Sequence, residues 1–153
     1  MKIERGIRRN GLASVAGADA ASGSVGTTPL VQADVSEVYS PPRVTIVAAK
    51  TGLNPGSAMD LRTGYDFSKK EDQERARQQI RKEKPRLLVG SPECKMFSTL
   101  QRLSPWTVEK AKRLVEAKAH MKFVCDLYRE QIEEGRWILH EHPVGATSWK
   151  WTS

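Results

Sequence analysis

The chain of 153 residues has only two cysteines, Cys94 and Cys125. Two thiols make no disulfide framework, so a reducing compartment, nuclear or cytoplasmic, is expected. Long apolar runs are also missing. No stretch approaches the length of a membrane-spanning helix, so no membrane is expected as a partner. The basic N-terminus lacks the apolar centre of a signal peptide. Acidic residues fall short of basic ones, 18 against 25, which leaves a net charge of +7. That balance favours polyanionic partners, nucleic acid above all. There is no internal repeat, and the length suits one domain.

Large apolar residues are scarce from Met1 to Gln32. This stretch is rich in Gly, Ala, Ser and Thr behind Lys2, Arg5, Arg8 and Arg9. Such a composition cannot bury enough surface to offset its ordering entropy. Residues 1–32 are therefore expected to be a disordered basic arm, able to touch phosphates, and residues 33–153 the folded domain.

What is present from there on alternates between strand and helix signals. Val35 to Ser40 is rich in β-formers and stops at Pro41-Pro42. Arg43 to Lys50 predicts a short helix ending at Gly52, with strand as the alternative because of its β-branched residues. Asn54-Pro55-Gly56 is a turn, and Ser57 to Leu61 a second short strand carrying Asp60. A loop through Gly64, Tyr65 and Asp66 follows. Ser68 and Glu71 match a capping box for a polar helix running to about Lys82. Leu87-Leu88-Val89, between Pro85 and Gly90, has the pattern of a buried parallel strand. Ser104-Pro105 predicts the start of a long helix, with Glu109 in its first turn. Leu114, Ala117, Met121, Val124, Tyr128 and Ile132 form its apolar stripe, widened by Val108, Ala111, Val115 and Cys125, and Gly135 ends it. Trp137-Ile138-Leu139 is the last strand. This order implies right-handed crossovers and a mostly parallel α/β sheet.

A parallel sheet brings its strand ends to one edge. Three of them carry unusual residues: Glu37 to Pro42, Cys94 to Ser98, and His140 to Pro143. Cys94 follows a strand and a Gly90-Ser91-Pro92 turn, where chemistry is found in open α/β sheets. It can equally be a small buried hydrophobe, the usual fate of a free cysteine. His140 and His142, two apart, share a face and could ligate zinc with Cys94, or be hydrogen-bonded structural groups. On an extended strand Glu141 points the other way.

Gly90-Ser91-Pro92-Glu93-Cys94-Lys95-Met96-Phe97-Ser98 resembles the catalytic loop of DNA cytosine-5 methyltransferases, in which a cysteine after a strand and glycines is followed by Phe-Ser. Glu93 stands where the family has proline, with Pro92 displaced by one. Glu37-Val38-Tyr39-Ser40 resembles the family's first strand, which approaches S-adenosylmethionine. Pro41-Pro42-Arg43 stands in place of its Gly-rich turn. Asp60 resembles the acid that holds the ribose hydroxyls, and Asp66 the acid near the adenine. Ile138 to Pro143 resembles the stretch whose glutamate, here Glu141, binds the target cytosine. The later motifs, the target-recognition region and the final helix are not found. Similar stretches also occur inside large retroelement-type polyproteins.

The resemblance implies a truncated Rossmann-like methyltransferase sheet and a DNA cytosine-5 methyltransferase-like module with S-adenosylmethionine as cofactor. The Cys94 thiolate would add to C6 of a flipped cytosine, and Glu141 would hold the ring nitrogen and amine. Phe97 and Ser98 would border the substrate; Glu37, Ser40, Asp60 and Asp66 would border the cofactor. With Pro41 and Pro42 removing two backbone donors, cofactor binding is expected to be weak at best. Two alternatives are a non-catalytic nucleic-acid-binding fragment of a retroelement polyprotein, and a thiol- or metal-dependent enzyme on the same fold.

Overall fold

The computed structural model describes residues 2–5 and 32–151. One five-stranded sheet organises the chain, in the order β1-β5-β4-β2-β3. The strands are β1 (Lys2–Arg5), β2 (Val35–Val38), β3 (Pro55–Met59), β4 (Leu87–Gly90) and β5 (Trp137–His140). β2 is parallel to β3 and to β4, and β4 is parallel to β5. β1 adds antiparallel to the free side of β5, with Lys2 opposite His140 and Arg5 opposite Trp137. The four parallel strands match the pattern of alternating elements in the sequence. The pairing of β1 does not match the expected unpaired arm. The rest of that arm, residues 6–31, lies outside the described residues.

Three helices connect the parallel strands: α1 (Val44–Lys50), α2 (Lys70–Glu83) and α3 (Val108–Glu133). The chain steps from β2 outward to β3, then returns past β2 to β4 and on to β5. Right-handed crossovers then put α1 on one face and α2 with α3 on the other. Ion pairs between α2 and α3 agree with this, Arg77 with Asp126 at 3.7 Å and Arg81 with Glu130 at 3.1 Å. The main core lies on the two-helix face. Val38, Met59, Leu88 and Ile138 of the strands meet Ala76 and Ile80 of α2 and Met121, Val124, Leu127 and Tyr128 of α3. The other face has a smaller cluster of Val35, Ala48 and Val89.

Several element boundaries differ from the sequence expectation. β2 stops at Val38, because Tyr39 turns into the left-handed region at φ 59°. β3 starts two residues earlier than expected and ends at Met59. Ser68 does not cap α2. The cap position is Lys69, without a side-chain bond, and the Ser68 hydroxyl donates to Asp66 at 2.6 Å. α3 starts at Val108 rather than at Ser104-Pro105. The Thr107 hydroxyl accepts from the Lys110 amide at 3.1 Å, while Ser104 holds the Lys110 ammonium at 2.9 Å. Val108 and Val115, expected on the buried stripe, are exposed. Both Ser68 and Ser104 have the right side chain for a cap, but each hydroxyl is held by a nearer polar partner.

Candidate functional site

The chain order reverses at β2, which lies between β3 and β4. In open α/β sheets a crevice forms outside the carboxyl ends of strands at such a point. Here the crevice is a cavity of about 300 Å³. Tyr39 leaves β2, Asp60 leaves β3, and Ser91 and Glu93 leave β4; all four line it. Ser91 keeps the β4 exit close, because its amide donates to the Val38 carbonyl at 3.1 Å. Tyr65, Asp66 and Phe67, from the loop before α2, and His120 of α3 also line it.

One side of the cavity is aromatic. The Tyr39 ring lies 4.5 Å from Phe67, and Tyr65 lies 6.0 Å from Phe67. Phe67 in turn contacts Phe123 at 5.1 Å, which ties this wall to α3. Carboxylates border the rest. The Asp60 carboxylate accepts from the Arg62 amide at 3.0 Å, and the Asp60 amide donates to the Thr63 hydroxyl at 2.9 Å, a reciprocal capping box that fixes the strand end. Asp66 accepts from the Ser68 hydroxyl and amide, at 2.6 and 3.1 Å, and pairs with Lys69 at 3.4 Å. The Ser68 bonds, with Lys69 behind them, hold its carboxyl below the usual range.

Glu37 and Ser40 are elsewhere. Glu37 is fully buried, and its carboxylate accepts from the backbone amides of Arg43, Val44 and Thr45. Those are the free donors at the start of α1. Ser40, also buried, donates to the Pro41 carbonyl at 3.0 Å and accepts from the Arg43 guanidinium at 3.3 Å. Both residues therefore build the Pro41-Pro42 turn from within. In dinucleotide-binding folds the equivalent amides face a pyrophosphate. Here an internal carboxylate occupies them, so the crevice has no such phosphate cradle. Its own rim carries Asp60, Asp66 and Glu93, which favours a cationic ligand over an anionic one.

The ends of β4 and β5 are adjacent, so Cys94 and Glu141 share one edge of the sheet. The Ser91 hydroxyl donates to Glu141 at 2.9 Å, and the Glu141 amide donates to the Gly90 carbonyl at 2.9 Å. Cys94 is half-buried and heads a short turn, Lys95–Phe97. Phe97 is not at a substrate surface. It is 2% exposed, with its ring 6.1 Å from His142, and anchors the loop. Ser98 caps the next turn by accepting from the Leu100 amide at 3.3 Å.

His140 and His142 form the support under this loop. Their rings lie 4.6 Å apart. His142 Nε2 bonds the Pro92 carbonyl at 2.8 Å; a carbonyl only accepts, so Nε2 carries the hydrogen, and Nδ1 accepts from the Ser148 hydroxyl at 2.6 Å. His140 Nδ1 shares a 2.9 Å bond with the Tyr128 hydroxyl. Burial, then the neighbouring His142, pushes the His140 pKa down to about 4. Burial also lowers His142. Both rings are thus neutral hydrogen-bonded supports. No group of three or more metal-ligating side chains occurs among the described residues.

A second cavity of about 290 Å³ adjoins the first. Lys95 and Met96 of the cysteine loop and Arg113, Glu116 and Ala117 of α3 line it, and it shares Glu93 and His120 with the crevice. Cys94 lines neither cavity. His120, which joins them, escaped the sequence reading. Its one signal is position: it lies beside the Ala117–Met121 stripe, where a polar residue borders a buried face.

Comparison with protein-family models, with curated proteins and with solved structures returned no match to this chain.

Proposed function

We propose that the chain is a DNA cytosine-5 methyltransferase-like module whose switch-point crevice takes the adenosyl part of S-adenosylmethionine. One observation carries this reading: the crevice combines an aromatic wall with rigid carboxylates, while its would-be phosphate donors are held by Glu37. An unphosphorylated nucleoside with a cationic sulfonium tail suits those features; a dinucleotide does not. Asp60 would accept from the ribose hydroxyls, the wall of Tyr39, Tyr65 and Phe67 would pack on adenine, and Glu93 would face the cationic tail. The acceptor would lie at the neighbouring strand ends, with Glu141 oriented by Ser91 and Cys94 as nucleophile. DNA, drawn by the net positive charge, is the proposed acceptor polymer.

Calorimetric titration of the purified chain tests the cofactor part. A dissociation constant on the order of 0.1 mM is expected for S-adenosylmethionine, about 5.5 kcal/mol, with ATP and NAD binding at least tenfold more weakly. No heat of binding at millimolar S-adenosylmethionine, or tighter binding of ATP, overturns it.

The position of Cys94 outside both cavities favours a second reading, a relative that binds nucleic acid without turnover. DNA carrying 5-fluorocytosine, with S-adenosylmethionine present, separates the two, because after methyl transfer C5 holds fluorine and no hydrogen, so the cysteine adduct cannot eliminate. A covalent adduct that Cys94→Ser abolishes supports the catalytic module. Bound DNA without adduct supports the second.

A further inference from the structure

The positive charge of the chain is concentrated just after Cys94. Residues 95–122 carry seven basic side chains against two acidic ones, a net +5 out of the +7 of the whole chain. Large apolar side chains lie exposed in the same stretch: Leu100, Leu103 and Trp106, the last with 63% of its surface open. Exposed apolar residues interleaved with cations mark a binding surface. Arg113 is offset by Glu109 at 3.2 Å, and Lys122 by Asp126 at 2.9 Å. No such ion pair offsets Lys95, Arg102 or Lys112 among the described residues.

Trp106 is braced in its exposed position. Lys110, in the first turn of α3, is buried. Its ammonium donates to the Gln101 carbonyl, to the Ser104 carbonyl at 3.1 Å and to the Ser104 hydroxyl at 2.9 Å. Three acceptors satisfy its three hydrogens, and the segment from Gln101 to Ser104 is wrapped around one cation. The same ammonium lies 5.5 Å from the centre of the Trp106 ring, within cation–π range. The indole therefore rests on a fixed cation and opens the rest of its surface to solvent. A side chain fixed in this way loses little freedom when a ligand packs on it. The Gln101 side-chain amide also donates to the Lys95 carbonyl at 3.1 Å, which ties this platform to the cysteine loop.

We propose that this surface binds single-stranded nucleic acid, with Trp106 as the stacking platform for an unpaired base and Lys95, Arg102 and Lys112 drawing the phosphates. A paired base keeps both of its faces inside the duplex stack, so an open indole selects an unpaired one. An anionic lipid surface would also match cations and apolar side chains. Nucleic acid is favoured because the platform is tied to the Cys94 loop, where the proposed acceptor polymer lies. The inference rests on the nucleic-acid part of the proposed function and needs neither the cofactor nor turnover.

Anisotropy titration of the full chain into labelled oligothymidylate of about 20 nucleotides tests it, a length that covers more than one site of this kind. The single strand should bind about tenfold more tightly than a duplex of the same length. Trp106→Ala should weaken single-strand binding about tenfold, the size of one lost base stack. Trp106→Phe should keep most of the affinity but lose the fluorescence quenching that binding causes in the wild type. Arg102→Gln should lower the slope of log affinity against log salt by about 0.7, one phosphate contact. Both altered side chains are exposed, so the variants keep the fold. Equal binding by wild type and Trp106→Ala overturns the proposal, as does a preference for the duplex. Binding to phosphatidylserine vesicles without binding to the oligonucleotide assigns the surface to lipid and also overturns it. If S-adenosylmethionine gives no heat of binding while the oligonucleotide binds, the cofactor reading fails and this one stands. The reverse result ends this proposal and leaves the cofactor reading intact.

Discussion

The two edges of the sheet differ in what their polar groups border. At the amino edge they satisfy one another. Glu83 accepts from the hydroxyl of Ser36 at 2.7 Å, the amide of Ser57 at 3.0 Å and the amide side chain of Gln79 at 2.6 Å. Gln131, fully buried, donates to the Pro85 carbonyl at 2.6 Å and accepts from Arg136 at 2.8 Å. At the carboxyl edge, carboxylates border an open cavity, a tyrosine is strained, and a histidine presents a ring to two cavities. The lesson is a division of labour: one edge holds the strands in register, and the other is free to bind. In parallel sheets the carboxyl edge is where binding is expected.

The comparison breaks first if amino-edge damage is not the costlier kind. Gly56→Ala would set a Cβ 2.1 Å from the Ser36 hydroxyl and 2.6 Å from Glu83. We expect a loss of about 3 kcal/mol in urea unfolding. Ligand affinity of the folded fraction should not change.

Acidification should reveal the support under the cysteine loop. His140, with its pKa pushed to about 4, is neutral in the fold, while the unfolded chain protonates near 6.5. Its contribution is full above about pH 6.5, fades as the pH falls, and is gone below about pH 4. Unfolding at stepped pH values should show a loss of about 2 kcal/mol across that window. His140→Gln should flatten it. Glu83 adds a lower window. Burial alone would raise its carboxyl, but the bonds from Ser57, Gln79 and Ser36 outweigh burial and lower it. A lowered carboxyl stabilises above its unfolded value near 4.3 and stops doing so as the pH falls through its folded value.

Much of the framework was legible in the sequence. The alternation of apolar runs and the α3 stripe give the parallel strands, their order in the chain, and the shared edge of Cys94 and Glu141. Asp60 and Asp66 were legible as carboxylates after a strand, and both border the crevice. The rest depends on partners distant in sequence. Glu37 reads as a strand-end acid, and only the fold brings the first amides of α1 onto it. Phe97 reads as part of a motif and is core because His142 packs on it. Tyr39 has no local mark of a left-handed conformation. His120 meets Tyr39 across 81 positions of sequence. The pairing of Lys2–Arg5 with β5 was hidden by a composition poor in apolar residues.

The smallest expected effect concerns a single carboxylate. Asp60→Asn should weaken S-adenosylmethionine about tenfold, the loss of roughly one charge-assisted hydrogen bond. Stability should shift by less than about 0.5 kcal/mol, because the half-exposed side chain carries no core packing.

The most direct measurement is a map of backbone and side-chain resonances during titration with S-adenosylmethionine. The predicted result is a set of shifts confined to the carboxyl edge: Tyr39, Asp60, Tyr65, Asp66, Ser91 and His120. Glu83, Ser57 and Gln131 at the amino edge should stay still. Shifts centred on the amino edge, or no saturable shift at millimolar ligand, would contradict the assignment of the carboxyl-edge crevice as the binding site.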